Sequence, residues 1–313
     1  MKLKKLIISK SISIWVQIRD LWLYLFSHAI IVNGYVDDHT WQGIRHRNWG
    51  DDLNYYFLRK LTGRPVVFYH NFKFAKWFHL KNYLCIGTLL DAVNYSNSKT
   101  IVWGSGVSGQ ERSFVDPQNI LAVRGKKTKE FCDRYGVSCP EAYGDPALLL
   151  PLVYKPNFRE ERREVRGEKE LRKYRMGIIP HVVDLHHPVI EEIREKHADE
   201  ILIIDLAHFK KWTDIIDQIC SCERILSSSL HGLIVSDAYQ VPNCWIELSG
   251  KISGGYFKYF DYASSVKRDY TKPFKIESST DIYKITDNNF ERADLAIIKN
   301  IQNKLVEVAP FRI

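Results

Sequence analysis

The chain is short of the local signatures that announce a bound metal, a nucleotide loop or a secretory route. Its six cysteines, at 85, 132, 139, 220, 222 and 244, form no Cys-x-x-Cys pair, and Cys220-Ser221-Cys222 is too tight for zinc spacing. No metal-ligating residues cluster at ligand spacing, so neither a metal nor a cofactor is expected. The segment Trp103-Gly104-Ser105-Gly106 lacks a Gly-Lys-Ser/Thr end and the Gly-x-Gly-x-x-Gly spacing. That excludes the P-loop and the dinucleotide fingerprint. Internal repeats and low-complexity tracts are missing. Basic residues are scattered without a recognition motif, so nucleic acid is not an expected partner.

Long hydrophobic runs are missing too, with one near miss. Residues 12–32 are largely apolar, but Gln17, Arg19 and Asp20 interrupt them where charge inside a membrane is costly. No small-residue cleavage site follows, so a cytosolic protein with reduced thiols is expected. Ile14, Ile18, Leu21, Leu25 and Ala29 share one helical face, with Trp15, Trp22 and Tyr24 near it and Lys2, Lys4, Lys5 and Lys10 ahead. This pattern suits an amphipathic helix peripheral to an anionic inner membrane face, or a helix packed on the protein's own core.

What is present is ordinary globular material. The 313 residues are 45% hydrophobic and 26% charged, enough for a sizeable core in one large or two ordinary domains. Aromatics at 13% read chiefly as core rings. Lys+Arg 45 against Asp+Glu 37 leaves +8, which favours anionic partners without choosing among them.

Short, continuous apolar runs at 65–69, 83–86, 100–103 and 120–123, and again at 176–179, 201–204, 224–226 and 244–248, predict strands buried on both faces. Helical patterns lie between them: from an Asp51 or Asp52 cap to Leu61, then 128–135, 189–197, 212–222 and 230–239, with a last one in 288–308. Asn33-Gly34 and Asp37-Asp38 mark a turn, and the charge-rich stretch 154–174 reads as a boundary. The expected organisation is a helix and turn at 1–40, an α/β domain at 41–155, a linker at 156–174, a second α/β domain at 175–287 and a helix at 288–313. Two mostly parallel α/β units would place chemistry in the loops just after strands.

Several constellations stand there. Ser227-Ser228-Ser229-Leu230-His231-Gly232 is a strand-to-helix turn whose backbone favours anions, with His231 able to titrate near neutrality. Ser105 and Gly106 follow another strand, where small residues admit a ligand or simply make a turn. Arg124, before Gly125, offers a fork for carboxylate or phosphate. Asn48-Trp49-Gly50-Asp51 precedes a helix and supplies caps or a base. Pro180-His181 and Lys258, within a run of rings at 256–262, complete the set.

Taken in order, these pieces, with Gly144-Asp145-Pro146-Ala147, resemble the polysaccharide pyruvyl transferase family over about residues 47–266. The resemblance implies two Rossmann-like domains facing a cleft, as in GT-B folds. It implies transfer of pyruvate from phosphoenolpyruvate to two hydroxyls of a sugar, giving a cyclic ketal and phosphate. The acceptor would belong to a capsule, an exopolysaccharide or a lipid-linked precursor. The family histidine maps onto His231, and its strand-end arginine onto Arg124. Where some members carry a donor-binding arginine two positions before the histidine, this chain has Ser229, leaving Leu230 and backbone groups beside it. Lys258 or Arg268 would add cationic grip. Protonating the enol methylene suits an imidazolium, and Asp51 or His181 would take the hydroxyl proton. The alternative activity is a GT-B glycosyltransferase using a nucleotide sugar.

Overall fold

Apolar runs bounded by turn residues become strands of two separate, wholly parallel, five-stranded sheets. The computed structural model describes residues 2–36, 39–40, 43–44, 48–92, 96–110, 116–156, 163–165, 168–170, 174–252 and 254–313. For 2–13, 39–40, 43, 163–165 and 168–170 it describes the backbone alone. The first sheet holds β1 (Ile30–Val32), β2 (Val66–Phe68), β3 (Asn82–Leu84), β4 (Thr100–Trp103) and β5 (Asn119–Ala122), in the order β2-β1-β3-β4-β5. The second holds β6 (Met176–Ile179), β7 (Ile201–Ile203), β8 (Ile225–Ser227), β9 (Asn243–Glu247) and β10 (Phe274–Lys275), in the order β7-β6-β8-β9-β10. Both sheets therefore reverse strand order at the same place, between their first and third strands.

The helices are α1 (Lys2–Ser27), α2 (Trp49–Thr62), α3 (Lys73–Trp77), α4 (Lys126–Arg134), α5 (Leu150–Val153), α6 (Pro188–Lys196), α7 (Trp212–Cys220), α8 (Leu230–Ala238), α9 (Phe257–Val266) and α10 (Leu295–Glu307). The eight expected strands all form, with ends shifted by a residue or two. Two strands of these sheets were not foreseen, Ile30–Val32 and Phe274–Lys275. The apolar run 12–32 is not all helix: α1 stops at Ser27, His28 turns at φ 51°, and Ile30–Val32 enters the first sheet between β2 and β3. Two isoleucines and a valine in succession favour a strand, but apolarity alone does not separate a buried strand from a buried helix. The span expected to hold a helix and turn thus also supplies a strand, Ile30–Val32, to the first sheet.

The cap of α2 also differs. The helix begins at Trp49, and the Asn48 side chain, not Asp51 or Asp52, accepts the Gly50 N–H at 3.2 Å. It ends where expected, at Gly63 with φ 67°. The largest apolar cluster runs without a break from β1 and α2 to α7 and α8, so one core serves both sheets. The tail helix is shorter than expected and packs back on the first sheet. Trp103 Nε1 donates to the Leu305 carbonyl at 3.0 Å, and the Phe311 ring sits 4.7 Å from Tyr83. The expected Asp37-Asp38 turn, and residues 157–162, 166–167 and 171–173 of the charged stretch, lie outside the described residues. Within that stretch Arg163–Val165 pairs antiparallel with Glu168–Glu170.

Candidate active site

A cavity of about 430 Å³ opens where both sheets reverse strand order, the place where doubly wound sheets leave a crevice at strand carboxyl ends. From the first sheet it takes Tyr35 after β1, Gly87 and Thr88 after β3, and Arg124 after β5. From the second it takes His181 after β6 and Ser229, Leu230 and His231 after β8. Asn48 and Asp51 of the α2 start, and Lys258 of α9, close it.

Each residue of Asn48-Trp49-Gly50-Asp51 has its own task. Asn48 caps α2. Trp49, fully buried, donates from Nε1 to the Trp212 carbonyl at 2.8 Å and so ties α2 to α7. Gly50 faces the imidazole of His231 so closely that a Cβ there would stand 1.9 Å from Nδ1. Asp51 lines the cavity. The histidine and its seat therefore come from opposite halves of the chain.

His231 is buried in the first turn of α8, and among the described residues its Nε2 has no hydrogen-bond partner. Burial first, then the charges of Lys258 and Arg124, push its pKa down to about 3, so the imidazole is neutral. Ser229 makes no side-chain cap, which leaves the leading N–H groups of α8 as donors at a helix N-terminus. The serines around it hold the turn. Ser227 Oγ accepts the Ser229 N–H at 3.1 Å and donates to the Ser229 carbonyl at 2.8 Å. Ser228 Oγ accepts the His181 N–H at 2.9 Å, and its carbonyl accepts the Tyr259 hydroxyl at 2.6 Å.

The cationic wall is built from Arg124 and Lys258. Arg124 is fully buried: Nε pairs with Asp261 Oδ2 at 2.9 Å, Nη1 donates to Thr88 Oγ1 at 2.7 Å and Nη2 to the Val107 carbonyl at 2.9 Å. A Cβ on Gly106 would lie 2.4 Å from the guanidinium, and one on Gly125 would lie 1.8 Å from the Asp261 carbonyl oxygen. Those glycines let the arginine and α9 come together. Burial, and then Arg124, pull the pKa of Lys258 down to about 8, while Asp51 works the other way. His181 is lowered to about 4, by burial and then by Lys258. Its Nδ1 accepts the Val183 N–H at 3.3 Å, so in the neutral ring Nε2 carries the hydrogen.

The structure thus brings His231, Asp51, His181, Arg124, Ser229, Leu230, Lys258 and Asn48 to one cavity. Ser105 is buried behind it, donating to the Gly87 carbonyl at 2.9 Å, and Gly106 supports Arg124 without being part of the lining. Arg268 is elsewhere: its Nη1 pairs with Asp237 at 3.0 Å and bonds Asn243 at 2.7 Å. Sequence reading overlooked Asp261, Thr88 and Asp91. Asp261 stands within the run of rings at 256–262 and looks like one acid among them. Asp91, also lining the cavity, accepts the Ser108 N–H at 2.9 Å and its hydroxyl at 2.7 Å, a non-local pairing with no local signal.

Comparison with known proteins adds to this geometry. The sequence profile of the polysaccharide pyruvyl transferase family matches residues 3–250. The chain belongs to the polysaccharide pyruvyl transferase family. The match takes in α1 and β1, so it starts well ahead of position 47, and it stops before the aromatic segment at 257–262. The chain is 28% identical over 244 residues to the succinoglycan biosynthesis protein ExoV of Rhizobium meliloti (strain 1021), covering 75% of this chain and 66% of that protein. It is 27% identical over 237 residues to the uncharacterized protein L143 of Acanthamoeba polyphaga mimivirus, covering 74% and 76%. No solved structure matches.

Proposed function

We propose that this member of the family transfers the pyruvyl group of phosphoenolpyruvate to two hydroxyls of a sugar, forming a cyclic ketal and releasing phosphate. The sugar belongs to a capsule, an exopolysaccharide or a lipid-linked precursor, met at the cytoplasmic side of a membrane. One observation carries the reading: the unpartnered Nε2 of buried His231 shares a cavity with Lys258, Arg124 and Asp51. We read the two sheets as Rossmann-like units facing a cleft in the GT-B manner, β1 to α5 and β6 to β10, with α10 crossing back.

The donor brings a phosphate and a carboxylate into a site where burial, and then the charges of Lys258 and Arg124, hold His231 neutral. Its negative charge offsets those cations and pairs with an imidazolium, which opposes the cost of burial, so His231 takes up a proton as the donor binds. The Nε2 proton then goes to the enol methylene, which becomes a methyl group. The first sugar hydroxyl adds to the central carbon while Asp51 takes its proton. The bond from that carbon to the phosphate oxygen breaks. The second hydroxyl closes the ring, and its proton leaves with the phosphate. Exchange with solvent returns the Asp51 proton to His231. His181 presents Nε2–H and acts as a donor to the ligand, which is why Asp51 takes the role of base. Proton delivery of this kind contributes roughly 10²–10⁴-fold.

The test incubates the protein with phosphoenolpyruvate and a panel of lipid-linked saccharides. Phosphate release should require an acceptor, and the acceptor should gain the mass of pyruvate less water. His231→Ala should abolish both. If phosphate release stays independent of acceptor and of His231, and a nucleotide sugar binds in preference, the chain is a GT-B glycosyltransferase instead.

A further inference from the structure

The outer face of α1 carries an apolar surface that the cavity chemistry does not use. The helix is fastened by its other side. Val16 and Asp20 are buried, Gln17 Nε2 donates to the Asn71 carbonyl at 2.5 Å, and Gln17 Oε1 accepts the Lys73 N–H at 2.8 Å. The Tyr24 ring meets Phe72 and Phe74 at 6.2 and 6.3 Å. Opposite that side, Ile14, Trp15, Ile18, Trp22, Leu25 and Phe26 are all exposed, the three rings at 59%, 54% and 69%. At 3.6 residues per turn these six share an arc of roughly 120°. The only charges between 14 and 27, Arg19 and Asp20, pair with each other at 2.8 Å.

The short helix α3 flanks this face and extends it. Trp77 and Phe78 are 73% and 62% exposed, and Phe74 connects them to α1, its ring 4.5 Å from Phe78. Lys73, Lys76 and Lys81 are exposed beside them. The first ten residues of the chain add Lys2, Lys4, Lys5 and Lys10, and no acidic residue occurs in 1–19 or 71–81. Among the described residues no helix is long and apolar enough to cross a membrane.

We propose that α1 and the tip of α3 form a docking face for an anionic lipid bilayer, lying in the plane of the interface. Rings suit the boundary between headgroups and acyl chains, and the lysines suit negative headgroups. A solvent-facing arc of six large apolar side chains is otherwise hard to reconcile with a water-facing surface. A short stretch of chain joins α1 to the cavity lining. Tyr35, on its lining, follows Ser27 by eight residues, so chain length limits their separation to no more than about 29 Å. The use of that proximity, presenting a lipid-linked acceptor to the cavity, rests on the pyruvyl transfer reading; the docking face does not.

Vesicle co-sedimentation of the full chain tests it, with phosphatidylglycerol–phosphatidylcholine vesicles against phosphatidylcholine alone. The wild type should pellet with the anionic vesicles and be released by salt. Trp15→Ser/Trp22→Ser/Phe26→Ser, all on the solvent face, should lower the partition coefficient at least about a hundredfold, since each buried ring contributes roughly a factor of ten. Lys73→Glu/Lys76→Glu should remove the preference for anionic vesicles. Wild type that stays in the supernatant with both vesicles overturns the proposal. So does a dimer in sedimentation equilibrium that the triple variant dissolves, because the face then belongs to a second copy. Pyruvyl transfer to a soluble saccharide is followed in the same samples, where both variants should match the wild type. A wild type that binds vesicles but transfers nothing refutes the reaction and leaves the surface standing.

Discussion

Gly50→Ala isolates the coupling between the two halves of the site. A methyl group at position 50 would stand 1.9 Å from His231 Nδ1, about 1.5 Å short of an ordinary contact. The backbone of α2 cannot give way easily, because Trp49 is buried and bonded to the Trp212 carbonyl at 2.8 Å. The imidazole must therefore move. Misplacing a reacting group by about 1 Å costs roughly a hundredfold in rate, or about 2.7 kcal/mol of barrier. Helix propensity acts weakly in the opposite sense on stability: alanine is favoured over glycine in a helix interior by about 1 kcal/mol, and by less at position 50, the second residue of α2. Overpacking of about 1–3 kcal/mol offsets that gain. The expected variant is folded, with a midpoint in urea near that of the wild type, and at least a hundredfold slower in acceptor-dependent phosphate release. Gly50→Ala enzyme that works at the wild-type rate with an intact fold would refute the claim that position 50 seats the histidine.

Acid sensitivity should follow from the two buried histidines. Their folded-state pKa values, about 3 for His231 and about 4 for His181, lie below the usual 6.5, so the folded chain binds fewer protons than the unfolded one. Stability is then complete above pH 6.5 and falls below it by about 1.4 kcal/mol per pH unit for each histidine, until about pH 4 and 3 respectively. Urea midpoints across pH 4–7 measure the slope, which His231→Gln should shallow. Donor binding at neutral pH should take up close to one proton through His231, read by calorimetry in buffers of different ionisation enthalpy; equal heats in all buffers would contradict it. Asp261→Asn leaves the buried Arg124 guanidinium without its counter-charge and should cost about 3–5 kcal/mol in urea unfolding. Lys258→Met removes a cation that depresses His231, so it should weaken donor binding and end the acid limb of the stability curve at a higher pH, with a smaller total loss.

Much of the scaffold was legible because strand and helix signals are local. Runs such as 101–103 and 176–179 carry no charged or strongly polar residue, are short and bounded by turn residues, and a strand buried on both faces needs nothing more. The same locality explains the miss at Ile30–Val32, where helix and buried strand share an apolar pattern and only the neighbouring strands Val66–Phe68 and Asn82–Leu84 settle the matter. The positions of His231 and Arg124 were also readable, because doubly wound folds carry chemistry at strand ends. Their environments were not.

By itself, the sequence determined the alternation of strands and helices, the turns that end them and the family resemblance, since each depends on residues close together along the chain. The tertiary structure alone decided what those residues meet. Arg124 and Arg268 look alike in sequence, yet one borders the cavity and the other is locked to Asp237 and Asn243. Gly50 looks like a helix residue of poor propensity, yet its missing side chain is the seat of a histidine 181 positions later. Burial, charge pairing and close approach depend on distance through space, and only the folded chain sets those distances.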